Sequence, residues 1–130
     1  MCALAMLLGL TYEAALAALV EERSRNPESI PDPRDGNSTH DLWSAARHLG
    51  EFVVYVSAER FDEDPPISPA TKDGVYSIEG DYGGPCPDGH FVHVVAGEVL
   101  DPFDGSATPW AEYAERYSVL VRSVLYRYTR

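Results

Sequence analysis

Apolar positions change their spacing along this chain: helical up to Gly50, strand-like beyond it. Met1–Leu8 is apolar on every side, which predicts a short buried helix ended by Gly9. Thr11 is placed to cap a second helix from Tyr12 to about Arg23, with an alanine-rich interior and Glu21, Glu22 and Arg23 in solvent. Asn26–Asn37 carries three prolines and a glycine and reads as a loop. Ser38 or Thr39 then caps a third helix, His40–Leu49, stopped at Gly50. Leu42, Trp43, Ala46 and Leu49 recur at three- and four-residue spacing and mark its buried face.

After Gly50 the period shortens. Phe52–Val56 is β-rich with little polar alternation, the pattern of a central strand. Glu59–Lys72 is acidic and proline-rich, a long loop that reads as a flap or a disordered excursion. Val75–Ile78 is a short strand, followed by a glycine-rich stretch from Gly80 to Gly89. Phe91–Val95, a turn at Ala96-Gly97 and Glu98–Leu100 form a hairpin. Thr108-Pro109 supplies a cap and a first-turn proline for a helix to about Tyr117, and Val119–Tyr126 is a β-branched last strand. Helices first and strands after predict one α+β domain over residues 1–130, its N-terminal helices packed on one side of an antiparallel sheet.

Composition narrows the function classes. Hydrophobic content of 45% and charged content of 24% are those of a globular protein. A net charge of −11 argues against a nucleic-acid surface, because phosphate binding needs clustered Lys and Arg. The acids sit in loops without regular spacing, which fits a solvated surface better than a nucleic-acid mimic. The apolar opening is too short to span a bilayer and no charged segment precedes it, so neither membrane insertion nor secretion is expected. The expectation is a cytoplasmic protein whose two cysteines are free.

Chemistry concentrates at the hairpin. His90 opens its first strand and Asp101 closes its second, so an antiparallel pairing brings imidazole and carboxylate together as a base and its orienter. Cys2 and Cys86 are the two thiols available as nucleophile. His90 and His93 differ in parity, so one faces the helices and the other faces away. Each candidate has a plainer reading: Cys2 as a small core thiol, His90 as a structural histidine, Asp101-Pro102 as turn chemistry. An N-terminal Cys2, exposed by removal of Met1, offers another nucleophile with its own amine as base. Cys86 and His90 resemble half of a metal site, but Cys2, His93 and Asp101 offer no second close-spaced pair, and no metal or cofactor is expected. No glycine-rich loop leads into a helix, so no phosphate cradle is expected either.

Two segments carry a family resemblance. Cys2-Ala-Leu-Ala-Met-Leu-Leu-Gly-Leu-Thr-Tyr-Glu-Ala-Ala15 looks like the nucleophile helix of papain-like cysteine peptidases, closest to the bacteriocin-processing, double-glycine group and its small relatives. Gly89-His90-Phe91-Val92-His93-Val94 with Val99-Leu100-Asp101-Pro102 resembles that group's His and Asp-Pro strands, in the family's order. The resemblance implies a papain-like fold with Cys2 as nucleophile, His90 as general base and acid, and Asp101 as orienter. It also implies a peptide or other amide as substrate, cleaved through a thioester. A helix N-terminus would favour the thiolate, and its N–H groups would help hold the oxyanion. His93 is then expected on the other sheet face, partly buried and hydrogen-bonded, with Trp43 and Tyr82 as candidate cleft walls. Two departures stand out: Cys2 lies closer to Met6 than the family's nucleophile does, and the sequence starts too late to contain the glutamine that supplies the family's oxyanion donor. They keep a second class open, a catalytically silent binding or inhibitor module on the same fold.

Overall fold

The computed structural model describes residues 3–25, 39–63, 66–81, 90–101 and 105–128. Helices α1 (Ala3–Leu8), α2 (Tyr12–Arg25) and α3 (Thr39–His48) come first. Strand β1 (Val53–Ser57) leads into a 3-10 turn, Ala58–Arg60, then β2 (Gly74–Glu79), β3 (His90–Val95), β4 (Glu98–Leu100) and β5 (Ala107–Pro109). Helix α4 (Trp110–Tyr117) and β6 (Leu120–Arg127) complete the described chain. The class is α+β, with an open six-stranded antiparallel sheet in the order β1-β6-β2-β3-β4-β5.

Local chemistry accounts for most of these boundaries. Thr11 caps α2 as expected, its Oγ1 accepting from the Ala14 N–H at 3.1 Å. Of the two caps expected for α3, Thr39 is already the first helical residue, and Ser38 lies outside the described residues. On α3, Leu42, Ala45 and Ala46 are buried, whereas Leu49, expected on that face, is exposed. It stands one residue past the last helical turn, where the chain has already turned away from the core.

Cross-strand register sorts the sheet into two faces. Val75 pairs with both His93 and Leu125. Val75 and Leu125 pack with Leu4, Leu8, Leu19 and Leu42, so this face lies under α1–α3. Tyr76 pairs with Val92 and Val124, and these three join Ile78, Val94, Val99 and Tyr113 in a second cluster on the opposite face. Helix α4 covers that second face through Tyr113, opposite the three N-terminal helices, which share the first face. A bulge between β2 and β6 leaves Arg122 unpaired in the ladder, where its guanidinium meets Glu79 at 2.8 Å. The extra residue resets the alternation of β6, so Val121 as well as Val124 turns to the second cluster.

Three expectations about elements change. The first strand is an edge strand rather than a central one, paired with β6 alone. Its apolar run misleads because Val53 packs on the first cluster and Val56 on the second, which fills both faces and leaves one edge open. Thr108 and Pro109 belong to β5, with Pro109 as the residue before α4 instead of inside it. The Glu59–Lys72 stretch, in its described part, is packed: Phe61 meets Tyr76 edge-on at 6.3 Å, and the Ile67 N–H donates to the Phe61 carbonyl.

Close backbone approach fixes one glycine. A Cβ at Gly74 would stand 2.8 Å from the Leu125 carbonyl oxygen and from Val124 Cγ2, so β2 meets β6 only with glycine there.

Candidate functional site

The hairpin positions the central pair by register. Val94 faces Val99, so continuing that ladder brings Asp101 opposite Val92, diagonal to His90 on one face of the sheet. A histidine and an aspartate on that diagonal are long enough to meet, and His90 Nε2 lies 2.8 Å from Asp101 Oδ1. Asp101 is 6% exposed and its second oxygen, Oδ2, accepts from the Tyr113 hydroxyl at 2.8 Å. Its backbone is held as well: the Asp101 N–H donates to the Ser106 carbonyl, and its own carbonyl accepts from Gly105. Carboxylate, ring and phenol therefore form one braced chain from α4 to the mouth of β3.

That chain sets the imidazole's tautomer. Facing a carboxylate oxygen, Nε2 is the nitrogen that carries the hydrogen, and Nδ1 takes the role of acceptor. A hydrogen bond to a charged partner contributes about 1.5–3 kcal/mol. The ring is thus oriented by more than thermal energy, and an oriented imidazole is what proton transfer requires.

Parity places the two histidines opposite to the expectation. His93 pairs with Val75 and faces α1, while His90 pairs with Ile78 and lies on the α4 face. The reason is the second helical layer: α4 provides the cover for His90 that the sequence had assigned to the N-terminal helices. His93 is partly buried as expected, but its Nδ1 is shielded from solvent without a hydrogen-bond partner. Burial pulls its pKa below the usual histidine value, and the charge of Asp73 opposes that shift only in part.

Of the remaining candidates, Cys2, Cys86 and Tyr82 lie outside the described residues. Trp43 belongs to the sheet face opposite His90. It packs against the first core cluster with the Arg47 guanidinium 4.8 Å over its ring. Tyr113 is the site residue that sequence reasoning missed. Its signal was the spacing of Trp110, Tyr113 and Tyr117 on one helical face, where a buried phenol needs a partner.

The class defined here is an α+β protein with a Tyr-braced His–Asp couple at a hairpin mouth. No family model matches the chain, and neither a curated protein nor a solved structure shows a significant similarity to it. Among the described residues no helix is long and apolar enough to cross a membrane.

Proposed function

We propose that the chain is a thiol-dependent hydrolase of papain-like kind that cleaves a peptide or other amide bond. The observation that supports this most is the 2.8 Å His90–Asp101 bond with Tyr113 behind it, which readies a base whose Nδ1 accepts a proton. Cys2 is the nucleophile in this reading. Its thiolate attacks the acyl carbon, His90 passes the proton to the departing amine, and water releases the acyl group from the thioester. Leu7, near the end of α1, lies with Val95 at the end of β3. A helix running antiparallel to β3 would bring its first turn toward the end that His90 opens.

A second reading, a silent module that binds a peptide or protein, draws on one observation: His90 lies on the sheet face opposite the helix that follows Cys2.

Alkylation separates the two. Iodoacetamide at neutral pH, followed by peptide mapping, should label one cysteine about tenfold faster than the other, and His90→Ala should remove that advantage. Cys2→Ala and Cys86→Ala identify which thiol it is. Slow, equal labelling of both thiols, unchanged by His90→Ala, would leave the binding module standing.

A further inference from the structure

The two edges of the sheet are built differently. β5, at one edge, has three residues and ends at Pro109, which has no N–H to give. β1, at the other, reads Val53-Val54-Tyr55-Val56-Ser57, with no charge, no proline and no bulge. An edge of that kind is a template for another strand.

The ladder shows which backbone groups are on offer. The Tyr128 N–H donates to the Phe52 carbonyl at 2.8 Å. Such pairs alternate in an antiparallel ladder, so Val54 and Val56 also turn their backbone groups toward β6. Val53, Tyr55 and Ser57 turn theirs outward, and among the described residues no strand meets them. Two large side chains at this edge are uncovered as well: Tyr55 is 49% exposed and Phe52 80%.

The strand is complementary to itself. A two-fold axis at Tyr55 lays a second β1 antiparallel to the first, with Tyr55 against Tyr55 and Val53 against Ser57. All three outward-facing residues then find partners. On the second face of the sheet Val54 meets Val56, and Phe52 comes beside Ala58 of the second copy, a small residue that leaves room for the ring. An axis at Val54 would engage Val53 and Tyr55 but not Ser57. An axis at Val53 would call on Glu51, whose N–H is already given to the Ala46 carbonyl.

Charge decides the occupant. Two chains of net charge −11 repel, yet no charged residue lies between Phe52 and Ala58, so two copies meet here without carboxylate facing carboxylate. The same seam offers no acid to a basic peptide. We infer that β1 is a docking edge for a second copy of this chain, joined antiparallel about Tyr55 into one continuous sheet. This surface uses neither thiol nor His90 and stands apart from the hydrolase reading.

Sedimentation velocity of the full chain, from about 5 μM to about 1 mM, tests it. A strip of five residues makes a small interface, so a monomer–dimer equilibrium with a dissociation constant on the order of 10–100 μM is expected. Tyr55→Lys sets two ammonium groups side by side at the axis and should weaken association about tenfold. Amide exchange followed by NMR at the two ends of the concentration range reads the seam itself. Val53, Tyr55 and Ser57 should slow at high concentration, while Val54 and Val56, already bonded to β6, should not change. A chain that stays monomeric up to about 1 mM overturns the inference, as does a dimer whose Tyr55 amide exchanges no more slowly than the monomer's. Both readouts use the unaltered chain, so the result does not depend on how well Tyr55→Lys folds.

Discussion

Two histidines three residues apart on one strand meet opposite fates because the side-chain period of a strand is two. His90 is built into a chain of partners, Asp101 and then Tyr113, whereas His93 is partly buried with its Nδ1 sealed from solvent and without one. The consequence for His93 is a pH-dependent cost. Burial depresses its folded pKa, so between the unfolded value and the lower folded one the unfolded chain binds a proton that the folded chain does not. Stability therefore falls as pH drops through about 6.5, and the loss levels off once the folded ring also protonates. His93→Gln should flatten this part of the curve. Urea midpoints measured from about pH 7.5 down to about pH 5 check it, and parallel curves for the two proteins would refute it.

At the scale of elements, the β3–β4 hairpin is the device that aligns the His90–Asp101 couple, and its turn is strained. Ala96 and Gly97 both have positive φ, at 51° and 78°, the geometry of a two-residue turn that suits Asn-Gly or Asp-Gly. Alanine at the first position carries a Cβ into a region that L-residues rarely adopt. The Ala96 N–H nevertheless has a partner in Asp73 Oδ1 at 2.8 Å, which holds the turn in place. Ala96→Asn keeps that N–H and tolerates the dihedral, so it should raise stability by about 0.5–1 kcal/mol. Chemical denaturation measures the difference directly. An unchanged or lower midpoint would mean that the turn relaxes to another form.

For the whole molecule, strand order matters most. β6 lies between β1 and β2, and its neighbouring residues Val124 and Leu125 each fill a different core cluster. A chain ending at Tyr117 should therefore show no cooperative urea transition, and a sigmoidal one would contradict this account. The same scale shows what was legible beforehand. The apolar periods located α1 to α4 and every strand but β5, and the His90–Asp101 couple followed from antiparallel pairing alone. Strand order was not legible, because Phe52–Val56 looks identical whether its second edge is paired or open. Nor was the facing of the histidines, which depends on a helix packed from a later part of the chain. Tyr113 stayed hidden because its partner lies across β5, a strand too short to announce itself.

The central seat of β6 also fixes the order of events at the ribosome. Until β6 emerges, β1 and β2 have no common neighbour, and the apolar faces of α1–α3 and α4 wait without part of their cover. A cell making this chain must keep an incomplete sheet from pairing with others until β6 has been made.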